Sequence, residues 1–365
     1  MDELSKYVGL DVHKERTVVA LAASAGQRLA GPYDLAQRHA LIGGAIAEAS
    51  FKDPPAPVPD VIGVSYYSDA NASVIDTAKL KANIDALRPF REFVRGVVED
   101  SDRWVAGNPP QPRVAACALD WLDAWAGAGA LLGRVNNQGG YERKWSLAAL
   151  ALSYLKLADA GDLDPNKRRR VEAWLADIAR RVMPDYQRPS RTDNRNNHAY
   201  WAGLAVAAAG AAAGDHGLFD WGIGQYRVFL AEIHPDGTLP LEINRKARAL
   251  HYHIYALAPL VLLAELGHAN GIDLYAESDG AVHRLVGRVA AGLDDPSWFE
   301  ARTGIRQDVR DKLGANDMAW AEPYYARFGT AALLPHLRHF RPLSDRSLGG
   351  NLTLLYGVKD LPAHP

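Results

Sequence analysis

Apolar residues recur at three- and four-residue intervals along most of this chain, and this periodicity constrains the fold more than any other feature. The pattern begins near Leu80 and is typical of amphipathic helices that bury one face. Clusters of Gly, Pro, Asn and Asp separate the periodic stretches, as expected for turns between helices. The predicted helical segments are 84–97, 114–125, 147–157, 169–182, 198–213, 221–233, 245–267, 282–293 and 318–337.

Strand-like patterns are scarce. The sequence favours an extended conformation at residues 61–67 and a terminal strand or tail at residues 351–356. We therefore predict an all-α fold in which successive helical hairpins form an incomplete (α/α) toroid rather than a four-helix bundle. Loops and helix starts gather at one end of such a toroid, where they can surround a groove long enough for a polymer.

The first sixty residues differ from the rest of the chain. Residues 7–22, Tyr-Val-Gly-Leu-Asp-Val-His-Lys-Glu-Arg-Thr-Val-Val-Ala-Leu-Ala, resemble the opening strands of a transposase with an RNase-H-like core. We interpret residues 1–30 as an appended segment that replaced a native leader. The Pro-rich run at 53–59 predicts an extended linker over 31–59, and the catalytic domain is expected to span 60–365.

Composition excludes several classes of function. A formal net charge of -2 provides no overall basic field, which argues against a nucleic-acid partner. Cys117 is the single cysteine, so the chain can form neither an intramolecular disulfide nor a thiolate zinc site. No run of about 18 apolar residues predicts a membrane span, and the N-terminus lacks the features of a secretion signal.

A first polar cluster stands where a predicted helix begins. Asn197, His198 and Trp201 fall at positions i, i+1 and i+4, so an amide, an imidazole and an indole could line one wall of a groove. The alternative is structural: Asn196 or Asn197 caps the helix, His198 is solvated and Trp201 packs in the core.

A second polar cluster follows about fifty residues later. Arg245 and Tyr252 are seven residues apart, which places them two turns along one face of a helix. Arg248 and Tyr252 are four apart, so an exposed Arg-Tyr stack is the simpler alternative. His251 and His253 point to different faces of a helix and make a poor metal pair. We predict no metal site and no cofactor.

Aromatic side chains in polar sequence are candidates for stacking on sugar rings. The chain shows no G-x-S-x-G, P-loop or G-x-G-x-x-G motif, so nucleophilic and nucleotide chemistry are disfavoured. The candidate substrate-binding residues are Tyr66, Tyr67, Trp145, Trp201, Arg248, Tyr255, Trp320 and Tyr324.

Both polar clusters resemble motifs of the alginate lyases of polysaccharide lyase family 5. Members of that family carry Asn-Asn-His-x-Tyr-Trp and an Arg followed seven residues later by Tyr. The likeness covers roughly residues 60–358. It includes 118–125, 144–146, 218–221, 236–240, 270–274 and 320–324.

The resemblance implies an (α/α) toroid that cleaves uronate polymers by β-elimination without a metal. By position, it implies that Asn197, His198, Arg245 and Tyr252 form the catalytic set. Arg245 and Asn197 suit stabilisation of a substrate carboxylate. Tyr252 can protonate the departing O4 oxygen, while either His198 or ionised Tyr252 can take the C5 proton.

One segment departs from the family pattern. Many members have Lys-Tyr-Glu-Gly-Ser-Asp where this chain has Val-Ser-Tyr-Tyr-Ser-Asp at residues 64–69. Alginate, and polymannuronate in particular, remains the first expected substrate. The change could shift preference toward polyglucuronate or hyaluronate.

Two other classes of function stay open. One is a carbohydrate-binding protein without activity. The other is a glycoside hydrolase that uses two carboxylates, with Asp193 or Glu242 as a candidate acid. The family resemblance implies a periplasmic location. The expected partner is an anionic polysaccharide, and a monomer without membrane contact is expected.

Overall fold

The computed structural model describes residues 28–33, 52–69, 74–107, 110–187, 195–309, 313–359 and 361–362. Within these ranges the fold is mostly helical, and two short strands, β1 Ser344–Asp345 and β2 Gly350–Asn351, pair antiparallel. The helices are α1 Thr77–Ala106, α2 Pro112–Gly127, α3 Asn137–Leu155, α4 Pro165–Val182, α5 Asn197–Ala213, α6 His216–Leu230, α7 Pro240–Ile243, α8 Ala249–Ala269, α9 Glu277–Asp294, α10 Ser297–Thr303, α11 Ala321–Phe328, α12 Leu334–Phe340 and α13 Leu352–Tyr356. The predicted all-α class is confirmed.

The long helices form two layers. Helices α1, α3, α5 and α8 pack side by side in that order and form the inner layer. Each is followed by an antiparallel partner, and these partners, α2, α4, α6 and α9, contact one another outside the inner layer. Residues 344–351 contact α1, α3 and α8 and so bridge the first and last inner helices. The predicted incomplete (α/α) toroid is confirmed.

The inner helices are apolar on nearly every side because other helices surround them. Helix α5 shows this best, since its small residues let α6 approach closely. A β-carbon added at Gly210 would lie 2.5 Å from the backbone nitrogen of Phe219, and one added at Gly222 would lie 2.5 Å from the β-carbon of Ala207. Glycine at these two positions therefore sets the distance between α5 and α6.

Helix α8 is the central core helix. The segment Lys246–Ala269 is long and apolar enough to cross a membrane, but 89% of its apolar window is buried inside the protein. Its length and composition are thus explained by packing against α5, α9 and α11.

Three details of the sequence prediction are wrong. Helix α8 begins at Ala249, so Arg245 precedes it in a turn where Lys246 has a φ of 55°. The predicted helix at 318–337 is divided into α11, a 3-10 turn and part of α12. Residues 352–356 are helical instead of extended, because Asn351 caps α13 by accepting from the amide of Leu354.

The described segments before α1 pack on the helical domain. Residues 61–67 are extended, as predicted, with isolated bridges from Val61 to Val135 and from Tyr67 to Ile75. In the predicted linker, the backbone carbonyls of Lys52 and Pro55 accept hydrogen bonds from α2. Their donors are the indole nitrogens of Trp121 and Trp125, respectively. The described part of the linker is therefore held against α2. Residues 1–27, with the transposase-like stretch, lie outside the described residues.

Candidate active site

A groove with a volume of about 820 Å³ opens at the end of the toroid where α3, α5 and α8 begin. Residues from the segment before α1 form part of its wall. Its lining is mainly amide, aromatic and cationic, and comprises Ser65, Tyr66, Tyr67, Asp69, Asn136, Asn137, Gln138, Tyr141, Trp145, Asn196, Asn197, His198, Arg245, Arg248, His251, Tyr252 and Tyr255. All four predicted catalytic residues meet here.

The start of α5 supplies Asn197 and His198. Asn196 caps the helix by accepting from the amide of His198, which fixes the direction in which the next side chains leave the helix. Asn197 is fully buried, and both its backbone nitrogen and its Nδ2 donate to Oε1 of Glu242 at 2.9 Å. Because a carboxylate only accepts, Glu242 fixes which side of the Asn197 amide carries the nitrogen.

Glu242 links the two polar clusters. It is fully buried in α7, and its Oε2 lies 3.5 Å from Nε of Arg245. Burial raises the pKa of Glu242, and the Arg245 charge and the Asn197 hydrogen bonds oppose that rise. In sequence, Glu242 was considered only as a hydrolase acid. In the structure, both of its oxygens face Asn197 and Arg245, which is the geometry of a positioning residue.

Arg245 and Tyr252 are in contact, but for a different reason than predicted. The two residues do not share a helical face, because the 3-10 turn Lys246–Arg248 lies between Arg245 and α8. This turn folds the Arg245 guanidinium over the Tyr252 ring, with its carbon 4.6 Å from the ring centroid. The Arg248 guanidinium carbon lies 5.1 Å from the same centroid. Two guanidinium groups therefore lie close to the Tyr252 ring.

A second phenol touches the Tyr252 hydroxyl. Oη of Tyr67 lies 3.0 Å from Oη of Tyr252, and Nη1 of Arg248 donates to Tyr67 at 2.9 Å. Burial is the main cause that raises the pKa of Tyr252 well above its usual range. The Tyr67 phenol also raises it, while the charges of Arg248 and Arg245 lower it.

His198 is held by α3. Its ring stacks on Tyr141 with centroids 3.9 Å apart and planes 8° apart, and its Nδ1 lies 3.1 Å from Nζ of Lys144. Lys144 is fully buried, and its Nζ also lies 4.2 Å from the Tyr141 ring centroid and 4.6 Å from that of Trp145. An ammonium at Lys144 can only donate. Nδ1 of His198 then accepts, and its other ring nitrogen carries the proton.

The predicted substrate-binding residues divide into two groups. Tyr66, Tyr67, Trp145, Arg248 and Tyr255 line the groove.

The prediction that Trp201, Trp320 and Tyr324 bind substrate is wrong, because these three side chains lie in the core. Trp201 is 1% exposed and packs beneath Tyr255, with ring centroids 5.4 Å apart. Trp320 is fully buried, and the Tyr324 hydroxyl lies 2.6 Å from Nδ1 of His283. Their polar sequence neighbours suggested exposure, but the rings of Trp201 on α5, Tyr324 on α11 and Trp320 just before α11 all point inward.

The start of α3 contributes residues that the sequence reasoning missed. Asn136 accepts from the amides of Gly139 and Gly63, so it caps α3 and anchors the segment that leads to Tyr67. A sequence signal was present, because an Asn-Asn pair stands at the start of both α3 and α5. Tyr141 and Lys144 gave no signal of their own, since their contact with His198 spans more than fifty positions.

The structure gives no support to metal or hydrolytic chemistry among the described residues. Those residues contain no group of three or more His, Cys, Asp or Glu side chains placed to hold a metal ion. Burial lowers the pKa of His253 to about 4, and its two ring nitrogens contact the backbone of Leu239 and Ala249. Asp193 lies outside the described residues, and Glu242, the other candidate acid, faces Asn197 and Arg245.

Comparison with known proteins agrees with this geometry. Residues 62–299 match the sequence model of the alginate lyase family. The chain belongs to that family. It is 40% identical over 337 residues to a polysaccharide lyase of Stenotrophomonas maltophilia, which covers 91% of this chain and 98% of the relative. It is 36% identical to an alginate lyase of Cobetia marina over 77% of this chain and 78% of the relative.

Solved structures of this family have the same fold. Alginate lyase A1-III from Sphingomonas species A1 superposes with a TM-score of 0.76 at 28% identity, covering 89% of this chain and 95% of that chain. A tyrosine-to-phenylalanine variant of alginate lyase A1-III complexed with tetrasaccharide gives 0.78 at 28% identity, with the same coverage. The protein described here is therefore a polysaccharide lyase of the alginate lyase family, built on the same toroid.

Proposed function

We propose that this protein cleaves 4-linked uronate polymers, with polymannuronate in alginate as its preferred substrate, and leaves 4,5-unsaturated ends. The observation that carries the proposal is the convergence of Arg245, Asn197 and His198 around Tyr252 in one groove. A variant of alginate lyase A1-III has been solved in complex with a tetrasaccharide, which supports an oligosaccharide ligand for this protein.

Carboxylate neutralisation is the first requirement of the reaction. The proton on C5 of a uronate becomes acidic only when negative charge that develops on the neighbouring carboxylate is stabilised. Arg245 offers a fixed cationic donor, because Glu242 and the Tyr252 ring hold its guanidinium. Asn197 adds an amide donor whose orientation Glu242 sets. We assign both residues to the carboxylate.

Proton transfer is the second requirement. A phenolate at Tyr252 takes the C5 proton, the electrons of the C5–H bond form the C4=C5 double bond, and the C4–O4 bond breaks. Tyr252 then returns the proton to O4, since both events occur on one side of a mannuronate ring. The contact from Lys144 supports a donor role for His198 and so favours Tyr252 as the base.

The pH profile separates the two candidate bases. Burial raises the pKa of Tyr252, so its phenolate is a minor species near neutral pH. With Tyr252 as the base, kcat on polymannuronate should rise as pH increases into the alkaline range. A kcat that has already reached its plateau near neutral pH would assign the base to His198 instead.

The decisive experiment is a substrate panel. Polymannuronate, polyguluronate, polyglucuronate and hyaluronate are each incubated with the protein, and the absorbance of the new conjugated double bond is followed. Polymannuronate should give the fastest rise. Folded protein that produces no rise with any of the four polymers would refute the proposal, and binding without turnover would identify a carbohydrate-binding protein.

A broader polyuronate lyase is the second candidate. It is favoured by Tyr66 and Tyr67, which line the groove on the segment where the sequence departs from the family pattern. Comparable rates on polyglucuronate, hyaluronate and polymannuronate in the same panel would support it.

We also propose that the protein acts as a monomer in the periplasm. All the groove residues named above come from one chain, which supports activity without a partner subunit. Light scattering and cell fractionation of the native host test the two statements separately.

A further inference from the structure

The turn that carries Arg245 and Arg248 contains a strained residue. Lys246 has a φ of 55°, in the left-handed region that residues other than glycine seldom adopt. Arg245 comes directly before Lys246, and Arg248 follows two positions later, immediately before α8 begins. Such a backbone conformation persists only where the surrounding structure holds it. The conformation of Lys246 therefore indicates that other residues fix this turn.

Gln307 makes the contacts that fix it. Gln307 is buried, and its Oε1 accepts from the amide of Leu250 while its Nε2 donates to the carbonyl of Lys246, both at 3.0 Å. Because a backbone amide only donates and a carbonyl only accepts, these bonds fix which side of the Gln307 amide carries the nitrogen. The amide of Asp308 donates to the carbonyl of Ala247 at 2.9 Å. Two backbone carbonyls of the turn and one amide at the start of α8 are thus bonded to this pair of residues.

The Gln307 side chain is itself anchored on α10. The backbone amide of Gln307 donates to Oε1 of Glu300, and its Nε2 lies 3.1 Å from Oγ1 of Thr303. Thr303 donates in turn to the carbonyl of Phe299 at 2.7 Å. The Phe299 ring is fully buried and lies edge-to-face on His253 of α8, with centroids 5.1 Å apart. Gln307 is therefore held from a helix that packs in the core, and it can restrain the turn before any substrate binds.

The restrained turn places two guanidinium groups at the proposed catalytic phenol. The guanidinium carbons of Arg245 and Arg248 lie 4.6 Å and 5.1 Å from the centroid of the Tyr252 ring. Burial raises the pKa of Tyr252, and the charges of the two arginines oppose that rise. The backbone at Lys246 sets the direction of Arg245 relative to α8. Relaxation of Lys246 to a right-handed conformation would therefore move the Arg245 guanidinium away from the ring.

We infer that Gln307 is a positioning residue for the elimination: its side-chain amide holds the left-handed Lys246 and so directs the two arginines of the turn toward Tyr252. Gln307 acts through the backbone of the turn and not by contact with the sugar. This inference rests on the proposed function. It predicts a loss of kcat whose size depends on the residue at position 246.

The first test compares Gln307→Met with wild type on polymannuronate. Methionine has nearly the length of glutamine but makes neither bond to the turn, so kcat should fall about tenfold. Asn270→Leu is the matched control, because the Asn270 amide also accepts from one backbone group and donates to another, beyond the far end of α8. Asn270→Leu should have a kcat within about twofold of the wild-type value. An unchanged kcat in Gln307→Met would overturn the inference.

A double-mutant cycle with Lys246→Gly tests whether Gln307 acts through the turn. Glycine adopts the left-handed conformation without strain, so the turn then needs less support from Gln307. The loss of kcat caused by Gln307→Met should therefore shrink from about tenfold to about threefold or less in the Lys246→Gly background. A defect that only weakens the packing of α10 would be equal in both backgrounds, and that result would contradict the role of Gln307.

Limited proteolysis separates this inference from the proposed function, because it needs no substrate. Trypsin cleaves after Lys and Arg, and the turn offers Arg245, Lys246 and Arg248. Cleavage within the turn, mapped by mass spectrometry, should be faster in Gln307→Met than in wild type or Asn270→Leu, since local opening exposes the backbone. Equal cleavage in Gln307→Met and wild type would overturn the role of Gln307. A wild type that cleaves no uronate polymer would instead refute the proposed function.

Discussion

Replacing Glu242 with glutamine tests the contact that joins the two halves of the site. Glutamine keeps the shape of the side chain, and its oxygen can still accept both bonds from Asn197. The atom facing Nε of Arg245 becomes an NH₂ group, which cannot accept. Glu242→Gln therefore removes the hydrogen bond that Glu242 accepts from Arg245 and leaves Asn197 in place.

Glu242→Gln should lower kcat/KM without lowering the free energy of unfolding. A hydrogen bond to a charged group contributes about 1.5–3 kcal/mol. The 3.5 Å separation puts this one at the weak end of that range. Losing about 1.5 kcal/mol of Arg245 positioning lowers kcat/KM about tenfold. The free energy of unfolding at pH 7 should not fall, because burial penalises the ionised carboxyl and glutamine carries no charge.

The pH dependence of stability follows the same reasoning. Burial raises the pKa of folded Glu242 above its value of 4.5 in the unfolded chain. Wild type therefore loses stability as pH rises from 4.5 through the raised pKa, and Glu242→Gln lacks this loss. Denaturant unfolding at several pH values should show that the free energy of unfolding of Glu242→Gln rises relative to that of wild type as pH increases from 4.5 through the raised pKa.

Glu265→Gln is the matched control. Glu265 is a buried carboxylate on α8 that binds Arg327 and Tyr275, thirteen residues and therefore about 20 Å along the helix from Tyr252. Glu265→Gln should have a kcat/KM on polymannuronate within about twofold of the wild-type value in the absorbance assay. Full activity in Glu242→Gln, or an equal loss in Glu265→Gln, would refute the reasoning.

Three further predictions concern single side chains. Tyr252→Phe should lower kcat by at least about 10⁴-fold, because it removes both proton-transfer steps, while polymer affinity persists; a loss below about tenfold would exclude Tyr252 as acid and base. Lys144→Met should lower kcat/KM on polymannuronate about tenfold, since the contact that orients the His198 ring is lost; an unaltered kcat/KM would contradict the role of Lys144. Because the pKa of His253 is lowered to about 4, wild type should lose about 3 kcal/mol of stability as pH falls from 6.5 toward 4, and denaturant unfolding of His253→Gln should show a smaller loss.

The sequence predicted most of the helices but not all of the site. Asn197 and His198 were found because amides that cap a helix leave a local signal, and the structure places Asn196 at that cap. Arg245 and Tyr252 are in contact as predicted, but they do not lie on one face of a helix. Lys246 adopts a left-handed backbone conformation, and a 3-10 turn stands where a continuous helix was expected.

Burial was the less predictable property. Trp201 and Trp320 stand in polar sequence, yet both are core residues. Whether a ring faces the groove or the core depends on which helix packs against it, and no local pattern encodes that neighbour. Glu242 carried too little local signal for its role to be recognised, because its partners are Arg245 and an amide forty-five positions away.

By itself, the sequence determined the helical class, the turns between hairpins and the two polar clusters, because periodicity, capping and turn chemistry act over a few residues. The tertiary structure alone decided that Tyr67 meets Tyr252 and that Lys144 meets His198. These contacts join residues 185 and 54 positions apart. They exist because packing of the toroid brings the starts of α3, α5 and α8 together with the segment before α1 around one groove.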